Sequence, residues 1–152
     1  MNYETARAYH DPSVHQFSVF LENRVGMLRK LIDLLQAGEV RLLGLSILDT
    51  ADSAIVRFVV DDSDRCRQIL HGAAFAFTEC EIVAVELSDS SSGLLRVCAT
   101  LLEAEINLHY AYLIQRAHHA ATLALHVDDR VMAVRALKHR NFTLLDQSDI
   151  AG

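Results

Sequence analysis

The chain repeats itself, and that duplication narrows the available folds more than any other feature. The segment Gly26-Met27-Leu28-Arg29, followed by Leu34-Leu35 and Ala37, recurs as Gly93-Leu94-Leu95-Arg96, followed by Leu101-Leu102 and Ala104, a shift of 67 residues. The same shift carries Val60-Asp61-Asp62 onto Val127-Asp128-Asp129, Leu70 onto Leu137 and Phe75 onto Phe142. Register held over that length marks two copies of one unit. In a chain of 152 residues the expected division is an arm over 1–14, a first domain over 15–79, a second over 80–146 and a tail over 147–152. Almost no linker separates the domains near Glu79 to Glu81.

Periodicity assigns the elements within each copy. Phe17, Val19 and Leu21 alternate with Ser18 and Glu22, as in a half-buried strand. After the turn at Asn23 to Gly26, apolar residues at Met27, Leu28, Leu31, Leu34 and Leu35 recur with a period near 3.6, which predicts a helix closed by Gly38. Val40 to Leu48 and Ala54 to Val60 read as a strand pair joined by a polar loop, Asp62 and Ser63 as the cap of a second helix ending at Gly72, and Phe75 to Phe77 as a fourth strand. The second copy gives strand 82–87, helix 93–103, strands 106–114 and 121–127, helix 129–139 and a last strand through Phe142 and Leu144. The predicted class is therefore α+β: two ferredoxin-like βαββαβ units, each a four-stranded antiparallel sheet with two helices on one face. Runs such as Leu42-Leu43-Gly44-Leu45 and Phe58-Val59-Val60 are apolar on both sides of the strand, so the bare face of each sheet must be covered by the sister copy or by a second chain.

At this point the residues resemble a known family, the tandem ACT domains, small regulatory modules that bind amino acids. The resemblance spans about His15 to Asp146 and rests on two βαββαβ units, each with a glycine in the turn between its first strand and first helix. Those turns are Asn23-Arg24-Val25-Gly26-Met27-Leu28 and Asp89-Ser90-Ser91-Ser92-Gly93-Leu94-Leu95, with Val25 and Ser92 where the family usually has proline. The resemblance implies a ligand held between the turn of one unit and the second strand of a neighbouring unit. By position, Asn23, Arg24, Val25, Gly26 and Met27 form one turn and Ser91, Ser92, Gly93 and Leu94 the other, with Leu43, Gly44 and Leu45, and Tyr110 and Tyr112, as candidate walls. Physically, a helix that starts at a glycine presents unpaired amide N–H groups and a positive dipole end to which a carboxylate can bind. The competing reading is a structural turn, with Ser90 to Ser92 a solvated loop that caps the helix.

Other chemistry finds less support. A formal net charge of −6 gives no broad attraction to phosphates or anionic lipid. RNA-recognition domains share this element order, but the central strands here, 54–60 and 122–127, are aliphatic and nearly uncharged where such domains carry stacking aromatics and bases. No apolar run reaches membrane-spanning length and no secretory leader is visible, so neither nucleic acid nor membrane is an expected partner and the expected location is the cytoplasm. Cys66, Cys80 and Cys98 are odd in number and widely spaced, which argues against disulfides and CxxC sites. His109, His118, His119 and His126 have no companion ligand at metal spacing, and the Asp61-Asp62 and Asp128-Asp129 pairs read as helix caps. No nucleophile and base are paired by any motif. The expectation is a non-catalytic regulatory protein, without cofactor or metal, that binds an amino acid or similar small molecule and works as a homodimer on a regulated partner. The alternative is a protein interaction module with no small ligand.

Overall fold

The computed structural model describes residues 11–22, 24–87 and 91–151. In chain order it contains β1 (Val14–Glu22), α1 (Met27–Ala37), β2 (Leu42–Asp49), β3 (Ser53–Val60), α2 (Ser63–Gly72), β4 (Ala76–Glu86), α3 (Gly93–Glu103), β5 (Leu108–Ile114), β6 (Thr122–Val127), α4 (Arg130–His139), β7 (Leu144–Leu145) and α5 (Gln147–Ala151). Residues 1–10 of the expected arm lie outside the described residues. β4 joins the two sheets. Its first part pairs with β1 and its last part with β6 and β7, so one strand closes the first sheet, β2-β3-β1-β4, and opens the second, β7-β4-β6-β5. The expected boundary at Glu79 to Glu81 therefore falls inside a continuous strand.

Strand alternation builds three cores. Phe17, Val19 and Leu21 of β1 face α1 and α2, where Phe17 stacks on Phe58 with ring centroids 5.7 Å apart. Val83 and Val85 of β4 face α3 and α4, while Ile82 and Ala84 on the same strand point the other way, into a layer with Val59, Tyr112, Ile114, Ala124 and Leu145. That third layer lies between the sheets. The sister copy thus covers the bare face, which the sequence left open between sister copy and second chain. The segment expected as a tail contributes to the same layer: α5 buries Ile150 there, and Gln147 binds the main chain at Ser13, His15 and Val60.

Matching hydrogen bonds confirm the duplication and correct its register. Asp62 Oδ1 accepts from the Arg65 amide and Asp129 Oδ1 from the Met132 amide, both at 3.0 Å, so each caps its helix as expected. Asp61 and Asp128 instead bind the main-chain N–H of Arg41 and Asn107 at the start of the second strand. From the first strand to the second the copies are offset by 66 residues, not 67: Phe17 corresponds to Val83, Leu31 to Val97 and Leu42 to Leu108. The second copy regains the missing residue in its longer loop between β5 and β6, because Val60 corresponds to Val127. Gly26 is consequently matched by Ser92, and Gly93 is the buried first residue of α3.

Helix ends differ from expectation in one respect. Gly38 has φ −83°, and the left-handed residue is the next one, Glu39, at φ 59°. All four long helices end in this way, with Glu39, Ala74, Glu105 and Asn141 left-handed, and an apolar residue, Val40, Phe75, Ile106 or Phe142, donating its N–H to the carbonyl of a buried leucine five residues earlier. The apolar contact favours the motif enough to hold non-glycine residues in that conformation.

Two substitutions test these contacts. A Cβ at Gly44 would stand 2.8 Å from the Leu113 carbonyl oxygen, where β2 crosses β5, so Gly44→Ala is expected to lower stability by about 1 to 3 kcal/mol. Ala74→Gly removes a left-handed side chain and is expected to raise stability by about 0.5 to 1 kcal/mol. Urea unfolding midpoints measure both.

Candidate ligand cleft between the units

The outer strands of the two sheets, β2 and β5, meet along one side of the molecule. Both bulge at equivalent places, between Leu42 and Gly44 and between Leu108 and Tyr110, and the Gln115 amide donates to the Leu43 carbonyl at 2.7 Å. Beside this crossing opens a cleft of about 610 Å³, a size typical of small-molecule sites. Leu42 to Leu45 form one wall, Leu113 and Ile114 the other, and Gln115, Arg116 and His119 from the β5–β6 loop supply polar groups. Arg116 is almost wholly buried. Its guanidinium donates to Glu86 at 2.8 Å, a pairing that a charge so far from water requires.

The expected site residues do not all gather here. Leu43, Gly44 and Leu45 line the cleft. Arg24, Val25 and Gly26 lie elsewhere, on the exposed surface before α1, and Met27 packs half-buried against the first core. There the Met27 amide reaches the Arg24 carbonyl at 3.3 Å, Gly26 is left-handed at φ 89°, Val25 is fully exposed, and a Cβ on Gly26 would meet nothing. Ser91 and Ser92 form the separate turn before α3, whose first two residues are the buried Gly93 and the half-exposed Leu94. Asn23, Asp89 and Ser90 lie outside the described residues.

Tyr110 and Tyr112 belong to a polar seam inside the inter-sheet layer. The Tyr112 hydroxyl donates to Gln16 Oε1 at 2.6 Å, and Gln16 Nε2 donates to the Tyr110 hydroxyl at 2.7 Å. Gln16 is wholly buried, so these bonds satisfy an amide that would otherwise cost stability. Burial pushes the Tyr112 phenol far above its usual range and raises the Cys80 thiol as well. The Tyr110 ring carries the Arg57 guanidinium at 4.1 Å and stacks on His126 at 4.8 Å. His118 and His119 sit in the loop before β6.

Leu42, Leu113, Ile114, Gln115, Arg116, His119, Ala120 and Ala121 line the cleft beyond the expected site residues, His119 having been weighed only as a metal ligand. A signal for the loop residues was the run Gln115-Arg116-Ala117-His118-His119 between two apolar strands. The cleft is an apolar trough with the Gln115 amide and the Glu86-paired Arg116 guanidinium at one end. No helix among the described residues is long and apolar enough to cross a membrane.

Comparison with known proteins bears on this arrangement. A family model described as an ACT domain pair matches residues 12–151. A crystal structure of a protein from Bacteroides thetaiotaomicron is 25% identical, covers 91% of this chain and 96% of its own, and superposes with a TM-score of 0.84. The ligand-free regulatory subunit of aspartate kinase from Thermus thermophilus superposes with a TM-score of 0.58 at 11% identity, over 85% of this chain and 93% of its own. Aspartate kinase from Synechocystis does so with a TM-score of 0.54 at 17% identity, over 93% of this chain and 26% of its own. At such identities the two kinases show a shared fold. No curated protein sequence matches the chain.

The seam beside Tyr110 makes a pH prediction. Burial, and then the nearby charges of His109 and Arg57, hold the His126 imidazole below its ordinary value of 6.5. The unfolded chain therefore takes up this proton first as pH falls, so the contribution of His126 is complete above about pH 6.5 and is lost as pH drops towards its folded value. His126→Gln is expected to show a shallower loss of stability than the parent chain between pH 7.5 and 5, measured by urea unfolding across about that range.

Proposed function

The chain belongs to the ACT domain pair family, and from that premise we propose that it is a non-catalytic regulatory protein whose paired units bind an amino acid or similar small ligand. The observation that carries this reading is the cleft at the crossing of β2 and β5, formed by both units and by neither alone. In this reading the apolar side chain of the ligand packs against Leu45 and Leu113 while its charged end reaches the Gln115 and Arg116 end of the trough. A ligand touching both units binds best to one arrangement of the pair and shifts the population towards it, which is the physical content of regulation here. The protein would act as a cytoplasmic homodimer on a partner protein. Membership in a regulatory family supports that assignment.

The two turns are a second proposed place for the carboxylate. The Met27 amide is already bonded to the Arg24 carbonyl, and the Lys30 and Arg96 amides to the Gly26 and Ser92 carbonyls; the other first-turn amides of α1 and α3 have no acceptor within their own helices, as at any helix start. The open space around Gly26 and the full exposure of Val25 favour a site completed by a neighbouring copy.

Thermal denaturation against a panel of amino acids tests the proposal. A ligand at about 100 times its Kd stabilises the fold by about 2.7 kcal/mol, which corresponds to about 5 to 10 °C at this chain length. Leu113→Trp, at a residue already 61% exposed, fills the cleft and is expected to abolish the shift. Gly26→Val forces a branched side chain into a left-handed turn and abolishes it only if the turn is the site. No shift with any amino acid favours the interaction module.

A further inference from the structure

We infer that a second copy of this chain docks on the outward face of α3, antiparallel about a twofold axis passing between Cys98 and Ala99. Val97, Thr100 and Leu101 turn into the core, whereas Leu95, Cys98, Ala99 and Leu102 face outward. Leu95 is 71% exposed and Leu102 78%. These four residues fall at i, i+3, i+4 and i+7, a continuous apolar stripe on one side of the helix. Nothing in the core requires it. With the register offset of 66 residues, Leu95, Ala99 and Leu102 occupy the places of Arg29, Asp33 and Gln36 on α1, all exposed and polar. The outward face is therefore solvated in one copy of the unit and apolar in the other.

The stripe has a leucine at each end and two small residues between them, and with the charges beside it this order fits a second copy. A twofold axis between Cys98 and Ala99 exchanges Leu95 with Leu102, so each end of the stripe meets the leucine at the other end of its partner. The two small residues at the centre let the helices approach closely. Charge agrees with this arrangement. Arg96 and Glu103 lie on the same flank of the stripe, and the symmetry brings Arg96 of one copy to within about two residues, or about 3 Å along the axis, of the other copy's Glu103. Glu103 sits at the carboxyl end of its own helix, where a negative charge is disfavoured, and is already held by Arg140. In the pair it comes to the amino end of the facing α3, whose first turn has no acidic residue.

Sedimentation equilibrium without any amino acid tests the contact independently of ligand binding. The native chain is expected to be a dimer at micromolar concentration, Leu95→Glu and Ala99→Glu monomers with unchanged far-ultraviolet circular dichroism, and Arg29→Glu, at the matching place on α1, still a dimer. Should the charged variants fail to fold, the native thiol provides the readout: mild copper-catalysed oxidation is expected to link two chains through Cys98, and Cys98→Ser to prevent it. A monomeric native chain would overturn the inference and leave the stripe to another partner. So would a dimer that survives Leu95→Glu, or the absence of a Cys98 cross-link where that is the readout.

Discussion

Everything in this molecule hangs on a single strand that serves two sheets. β4 pairs with β1 along one part and with β6 and β7 along the other, so one continuous strand ties the two sheets and the apolar layer between them packs them together. Its alternation then sets the layers: Val83 and Val85 go to the helices of the second unit, Ile82 and Ala84 to the sister sheet. Because side chains alternate with a period of two, a slip of one residue would send the helix-facing valines into the inter-sheet layer and empty the second core. The layer between the sheets is mostly apolar, and the polar groups admitted to it, Gln16, Tyr110 and Tyr112, satisfy one another. This rigid pairing brings the outer strands β2 and β5 together and thereby creates the cleft.

Much of this architecture was legible from the sequence because local patterns and the duplication gave the same answer. Period-two runs, a 3.6-residue period and two aspartate caps marked the elements, and strands apolar on both sides signalled a covered face. The misjudged features depend on contacts between distant residues. The likeness of Gly26-Met27-Leu28-Arg29 to Gly93-Leu94-Leu95-Arg96 suggested equivalent glycines, yet the burial of Leu31 and Val97 places Gly26 opposite Ser92. Left-handed Glu39 and Ala74 defy local preference because Val40 and Phe75 secure the helix ends by their main-chain bonds and apolar packing. Tyr110 and Tyr112, the candidate walls, also bond Gln16, a partner far away in the chain that no local pattern points to. Arg116 was equally hidden, since its partner Glu86 belongs to the shared strand.

The copies have diverged where they face outward and stayed alike where they fold. Caps, helix ends and strand bulges recur in both. The outer face of the first helix does not: it is polar in α1 and apolar in α3, which gives the pair two unlike sides. A duplicated unit with one polar and one apolar outer side, and a cleft at the seam between its halves, can couple occupancy of the seam to the way copies assemble.

The central claim is that a small ligand binds where both units meet. Titrating an amino acid into isotope-labelled protein and following the backbone amide resonances addresses it directly. The account predicts that Leu43 to Leu45 and Leu113 to Arg116 shift together with one affinity. Shifts confined to the turns before α1 and α3, or no shift with any amino acid, would contradict it.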